Sequence, residues 1–361
     1  MNQLYKLVRK LSPTGVHFCS LEDVCRIETG KQINKGNLLS EGNYPVLNGG
    51  ISPSGYWHEY NTDANTIAIS QGGASAGYVN YITTPFWAGA HCYVVFLKTE
   101  KVLYKFLYYF IKNNQEKLMN SKQGAGIPGL NRKAIYSLNI PLPPLPIQQE
   151  IVRILDTFTN LTAELTAELT ARRKQYEYYR DELLTFGEDV SRVQLGLVCD
   201  FKYGKGNNIP NETGEYPVYG CNGIVSTTNT FNSEDAPIIG HIGSAGVVNW
   251  GKGKHFVTYN GTICRVKADK IRSRYAYYVL NSLHLERFVK GSQPFLSYGD
   301  FSKGLIPLPP IERQDEIVRI LDQFDYFCND LTSGIPAEIS ARQKQYEYYR
   351  NQLLTFKQIG G

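Results

Sequence analysis

Residues 149–158 read QEIVRILDTF and residues 315–324 read DEIVRILDQF. Downstream of each lies a second matching block, ARRKQYEYYRDELLTF at 171–186 and ARQKQYEYYRNQLLTF at 341–356. Of these 26 paired positions 21 are identical, far beyond chance. A repeat of this size fixes the architecture before any local feature is weighed. The first pair is offset by 166 residues and the second by 170, so the later copy holds four more residues between its blocks.

Outward from these blocks the repetition fades but persists. Gly42-Asn-Tyr-Pro-Val46 matches Gly214-Glu-Tyr-Pro-Val218, and Ser75-Ala-Gly-Tyr-Val-Asn-Tyr81 matches Ser244-Ala-Gly-Val-Val-Asn-Trp250. Ile140-Pro-Leu-Pro-Pro144 matches Ile306-Pro-Leu-Pro-Pro310. The chain is therefore variable domain, constant segment, variable domain, constant segment: two halves with one fold and different surfaces.

The constant segments are helical. Positions 151, 155, 158, 162, 165, 169, 172, 176, 179, 183 and 186 step by four and three, and nine of these eleven are apolar, including Leu155, Leu165, Leu169 and Tyr176. That spacing is a coiled-coil seam. Pro141–Pro146 sets its start and Gly187 its end, giving a rod of roughly 60 Å. The second seam runs through Ile317, Leu321, Phe324, Cys328 and Leu331, then resumes at Ile339, Arg342, Tyr346, Tyr349, Leu353 and Phe356. Ser333-Gly-Ile-Pro336 between them predicts a kink near 334–336. Two seams in one chain predict antiparallel pairing with each other rather than with another molecule. At heptad spacing, the tyrosines of 176–179 and 346–349 read as seam rather than as stacking platforms.

The variable domains read as α+β. Short β-type runs (Thr66–Ser70, Tyr93–Leu97, Ala236–Gly240, Thr262–Val266) alternate with Gly/Asn/Ser loops, and one Tyr-rich helix follows in each half, Val102–Met119 and Tyr275–Val289. The predicted organisation is an amphipathic N-terminal helix at 1–11, variable domains at 12–145 and 187–309, a central helix at 146–186 and a kinked C-terminal helix at 310–357. Leu4, Leu7, Val8 and Leu11 recur at helical spacing in a segment too short to be stable alone. Packing against the C-terminal rod, with a roughly circular arrangement of the halves, is the expectation.

Composition narrows the class. Of 361 residues, 42% are hydrophobic and 20% charged, neither a disordered nor a fibrous balance. No apolar stretch approaches the ~20 residues that span a bilayer, and no secretory h-region follows Lys6, Arg9 and Lys10, so a soluble cytoplasmic protein is expected. Seven scattered cysteines without a C-x-x-C read as free thiols. The formal charge of +5 sorts with the layout: residues 1–11 and each variable domain carry +3, and each rod −2. Two basic domains on acidic rods suit a bivalent reader of a polyanion.

Catalytic signatures are absent from the sequence. There is no P-loop and no Rossmann glycine run. Pro143-Pro144 and Pro309-Pro310 each follow leucine and lack a following aromatic, unlike the Asn/Asp-Pro-Pro-aromatic motif of adenine methyltransferases. Asp200-Phe-Lys202 lacks an acidic partner for a nuclease centre. His91 and His241 lack a paired nucleophile and read as ordinary loop or strand residues. No metal site is expected.

The runs IPLPPLPIQQEIVRILD (140–156) and IPLPPIERQDEIVRILD (306–322), the KQYEYYR runs at 174–180 and 344–350, and the tandem Thr-Ala-Glu-Leu at 162–165 and 166–169 resemble the DNA-specificity subunit of type I restriction–modification systems, in particular its IC-like branch. The resemblance spans essentially the whole chain. It implies two pseudo-symmetric target-recognition domains separated by long antiparallel coiled-coil helices. Each domain would read half of a split, asymmetric site in double-stranded DNA. The rods would set the spacing and dock two modification subunits that carry S-adenosylmethionine and methylate adenine N6. Restriction subunits using ATP and magnesium would join them, and this chain would bind no cofactor itself. The weighed alternatives are a coiled-coil adaptor binding protein or glycan, and an unrecognised nuclease or methyltransferase.

Base readout needs amide, guanidinium or hydroxyl groups on loops that can enter a groove. Three loop pairs recur in both halves. The first is Lys122-Gln123 through Pro128, paired with Lys290 through Phe295, which includes Ser292 and Gln293. The second is Lys31, Gln32, Asn34 and Lys35, paired with Lys205, Asn207 and Asn208. The third is Gln71, paired with His241 and Ser244. The competing reading for each is an ordinary solvated turn. The lysines are expected on phosphates rather than bases.

Overall fold

The computed structural model describes residues 2–122, 128–206, 213–267, 269–329 and 333–359. The chain forms two compact units, residues 1–164 with 340–361, and residues 165–339. Each rod is thus shared between the units.

In the first unit, a four-stranded antiparallel sheet has the order Cys25–Thr29, Cys92–Leu97, Thr66–Ser70, Val79–Ile82. A separate three-stranded sheet has the order Gly55–Trp57, Tyr44–Leu47, Trp87–Ala88, the first pair antiparallel and the second parallel. The second unit joins the corresponding strands into one six-stranded sheet, because Val248–Val257 runs unbroken for ten residues. Its counterpart is split into Val79–Ile82 and Trp87–Ala88, and Pro85 lies in the gap. Proline has no N–H to give a ladder, so a strand stops there.

The four β-type runs read from sequence are strands. The two domain helices are shorter than their patterns. The expected Val102–Met119 is Tyr104–Asn113 and Gln115–Asn120, interrupted at Asn114, whose side-chain amide donates to the Phe110 carbonyl at 2.9 Å. The expected Tyr275–Val289 is Ser273–Ser282 followed by a 3₁₀ turn, Leu285–Phe288, after His284 enters the left-handed region at φ 48°.

The long helix spans Leu145–Leu183. It stops short of Gly187 because the chain turns to bury Leu184 in the second unit's core, with Phe186 packed against it. The other constant segment is two helices, Ile311–Asn329 and Ile335–Leu353, with Pro336 in the first turn of the latter. Within the second unit the pairing is antiparallel: Tyr176 and Tyr179 meet Phe324, while Leu183 and Glu182 lie by Arg313 and Ile320. Within the first unit Phe158 stacks on Tyr349 at 5.4 Å.

Among the described seam residues burial is uneven. Leu155 and Leu321 are fully buried, Leu165, Leu169, Tyr176 and Tyr346 are half-buried, and Arg172 and Tyr179 at seam positions are exposed. Two helices shield one stripe between them and leave its flanks to solvent. Tyr178 and Tyr348 point outward, contrary to a uniform seam reading of the Tyr runs.

A duplicated fastener ties each domain to its rod. Gln148 is fully buried; its Oε1 accepts from Leu103 N–H (2.8 Å), and its Nε2 donates to the Lys101 and Pro143 carbonyls, both at 2.8 Å. Gln314 repeats this with Arg272 N–H (2.9 Å) and the carbonyls of Lys270 (3.1 Å) and Pro309 (2.9 Å). Nearby, Lys105 and Tyr109 both reach Asp156, and Arg274 and Tyr278 both reach Asp322. Arg274 also bonds Asp325 and lies 4.6 Å from the centre of the Tyr277 ring.

The N-terminal helix, Asn2–Leu11, buries Leu4 with Leu353 and Leu354. The following chain pairs with the C-terminal tail: Val16 N–H donates to the Lys357 carbonyl (2.8 Å), and Ile359 N–H to Val16 (3.1 Å).

Candidate nucleic-acid interface

In each unit the loops singled out from sequence converge on one tight turn, residues 88–92 in the first and 257–261 in the second. Lys31 N–H donates to the Ala88 carbonyl at 2.8 Å, and Lys205 N–H to Val257 at 3.0 Å. The glycines before them are obligatory: a Cβ on Gly30 or Gly204 would lie 2.1 Å from the carbonyl oxygen of Ala88 or Thr258.

The next loop crosses the same turn. Gln71 N–H donates to His91 O (2.8 Å) and its carbonyl accepts from Leu130 N–H (2.7 Å). His241 N–H donates to Asn260 O (3.0 Å) and its carbonyl accepts from Leu296 N–H (2.8 Å). Two residues on, Gly73 and Gly243 adopt φ +79° and +84°, where side chains are disfavoured. Their N–H groups donate to Pro128 O (2.9 Å) and Pro294 O (3.2 Å), at the ends of the loops that begin at Lys122 and Lys290. Two clusters with dissimilar side chains are thus built on the same backbone bonds.

The predicted residues divide into three groups. Lys31, Gln32, Asn34, Lys35, Lys205, Ser292 and Gln293 are exposed loop residues. Lys122, Lys290, Gln71, His241 and Ser244 are engaged or enclosed. Lys122 Nζ donates to the Ala74 carbonyl (3.0 Å) and Lys290 forms an ion pair with Asp300 (2.6 Å). Gln71 and His241 occupy equivalent junctions, and each has a buried side-chain atom without a hydrogen-bond partner, Oε1 and Nε2 respectively. Ser244 is half-buried. Gln123, Asn207 and Asn208 lie outside the described residues.

Sequence reasoning missed the positions flanking these loops. Arg132 follows the helix cap Asn131, hydrogen-bonds Thr29 and lies over the Tyr93 ring at 5.3 Å. Its counterpart Tyr298 follows the cap Ser297 and packs on Tyr203 at 5.1 Å. The capping residue just after each loop was the available signal.

His241 is 1% exposed, packed on Tyr203 at 4.4 Å, and burial lowers its pKa below the ordinary histidine value. Below about pH 6.5 the unfolded chain takes up a proton that the folded site resists, so the second unit loses stability as pH falls. His241→Gln, which installs the first unit's residue, should lessen this acid-side loss, the remainder belonging to His255, whose pKa burial also lowers. Urea-unfolding midpoints taken between about pH 7 and pH 5 provide the check. An unchanged slope would remove His241 from the titration.

This frame, a mixed domain and half of a helical pair built twice, is that of a duplicated recognition scaffold. A family model, the type I restriction modification DNA specificity domain, matches residues 13–172 and 187–341, and the chain belongs to that family. A putative type I restriction enzyme specificity subunit from Haemophilus influenzae is 30% identical over 97% of this chain and 98% of its own length. The EcoR124I/EcoR124II specificity subunit of Escherichia coli is 33% identical over 71% of this chain and 72% of its own. The crystal structure of a type I restriction–modification S subunit from M. genitalium shares the fold, with a TM-score of 0.69 over 94% of this chain and 96% of that one, at 24% identity. The α+β assignment and the specificity-subunit resemblance hold, and the adaptor alternative gains no support from these relatives. No described helix is long and apolar enough to cross a membrane.

Proposed function

We propose that this chain is the DNA-reading and assembly subunit of a type I restriction–modification complex, with each loop cluster reading one half of a split site in double-stranded DNA. The observation that carries this reading is the site built twice on the same backbone bonds with different side chains, which is what two unlike half-sites require. The rods would fix the distance between half-sites and dock two modification subunits, and restriction subunits would complete the assembly. Methyl transfer from S-adenosylmethionine and ATP- and magnesium-dependent cleavage would belong to those partners, acting on DNA in the cytoplasm. Two tethered domains gain affinity by effective concentration when the spacing matches the DNA.

The test is co-expression with the modification subunit encoded beside it, followed by genome-wide mapping of N6-methyladenine. The expected result is one bipartite motif with a methylated adenine in each half. No methylation from a soluble complex would overturn the reading. Inserting one further Thr-Ala-Glu-Leu unit after Leu169 adds about 6 Å and roughly 40° of helix, against 3.4 Å per base pair. The unread spacer should lengthen by about one or two base pairs with both half-sites unchanged. A mutant that keeps the parental spacer would end the ruler idea.

A further inference from the structure

Matched through their duplicated hydrogen bonds, the two loop clusters differ systematically at four places. Thr29 in the first unit is Tyr203 in the second, each ending the strand that pairs with Tyr93 or Thr262. Ala90, held between Gly89 and His91, is Tyr259, held between Thr258 and Asn260. Gly129, between the bonded Pro128 and Leu130, is Phe295, between Pro294 and Leu296. Arg132 is Tyr298, one residue past each cap. Every substitution exchanges a small or cationic residue for an aromatic one.

The result is two floors of opposite chemistry. In the second unit Tyr203, Tyr259 and Phe295 surround the His241 ring at centroid distances of 4.4, 5.3 and 5.9 Å. Tyr259, Phe295 and Tyr298 are nonetheless 40, 40 and 37% exposed, so the cluster has an apolar outer surface. Exposed Lys205 lies at the edge, and Lys290 is held by Asp300. In the first unit the same place presents exposed Arg132 with Lys31 and Lys35 on the adjoining loop, and no aromatic among those four positions.

We infer that the two units read their half-sites by different forces: the first through the Arg132 guanidinium on a guanine edge, the second through Phe295 and Tyr259 against a thymine methyl group. This rests on the DNA-reading function proposed above. Arginine's fork matches guanine O6 and N7, whereas thymine is the base that offers a methyl group in the major groove. The Arg132 cation brought into the groove also neutralises nearby phosphate charge and displaces counterions, whereas an aromatic side chain does not. The second half-site should therefore contribute less salt dependence than the first.

The experiment uses the complex of this chain with its modification subunit and duplexes carrying the mapped bipartite motif. Replacing the contacted guanine by 7-deazaguanine in the first half-site should weaken binding about tenfold for the parent and little for Arg132→Ala. Replacing thymine by deoxyuridine in the second should weaken binding about fivefold for the parent and little for Phe295→Ala. Arg132→Ala should lower the slope of log affinity against log salt by about one, and Phe295→Ala should leave it unchanged. Arg132 and Phe295 are both exposed, so unchanged urea-unfolding midpoints of the two alanine variants serve as the folding control. Indifference of the parent to both base analogues, or equal salt slopes for the alanine variants, would overturn the inference while leaving the bipartite motif intact. Absence of any bipartite motif would instead overturn the DNA-reading function beneath it.

Discussion

Replacing Gln314 by leucine is expected to destabilise the second unit by about 3–5 kcal/mol. The side chain is fully buried and answers three backbone groups, the Arg272 N–H and the carbonyls of Lys270 and Pro309. Leucine restores apolar volume but strips the buried Pro309 carbonyl and two part-buried groups of their partner, and a buried unsatisfied group costs about 1–3 kcal/mol. Some relaxation and access of water keeps the total below the sum. Urea unfolding followed by amide exchange in Ser273–Ser282 and Tyr104–Asn113 reports the two units separately. The second unit should loosen and the first should not, whereas Gln148→Leu should do the reverse. A loss under about 1 kcal/mol would show that the amide is dispensable.

The second large effect is expected at Gly204. An alanine Cβ there meets the Thr258 carbonyl oxygen at 2.1 Å and the Val257 oxygen at 2.4 Å, both backbone atoms that cannot swing aside. Gly204→Ala must push Lys205 and the 257–261 turn apart, breaking the bond from Lys205 N–H to Val257 O. We expect DNA affinity to fall roughly 10- to 100-fold, the scale of one or two lost base contacts. Discrimination in the second half-site should relax while the first half-site is read as before. Gly30→Ala should produce the mirror result. Parental methylation specificity in the Gly204→Ala complex would show that this loop does not position readers.

The architecture was legible because a seam and a duplicated block are properties of residue order. The four β-type runs and the long helix needed no tertiary information. Helix ends did, since Asn114 and His284 interrupt patterns whose hydrophobic spacing continues past them. The difference between the two sheets turned on Pro85, whose effect depends on strand pairing that the sequence does not display. At the interface, the loops were recognisable from glycine, lysine and amide composition, and they do converge. The floor was not, because Thr29, Ala90 and the Gly129–Arg132 stretch are far apart in the chain and become comparable with their aromatic counterparts only through shared backbone bonds.

The glutamine fasteners have a wider consequence. At both joints the rod's amide addresses only main-chain groups of the domain, the N–H of Leu103 or Arg272 and the carbonyl of Lys101 or Lys270. Main-chain groups are the same in every protein, so this part of the joint does not register which domain is seated. A gene built this way can exchange one recognition domain for a foreign one that presents a helix start at the same place. It can thereby acquire a new target in a single recombination event, with the rods and everything that binds them left untouched.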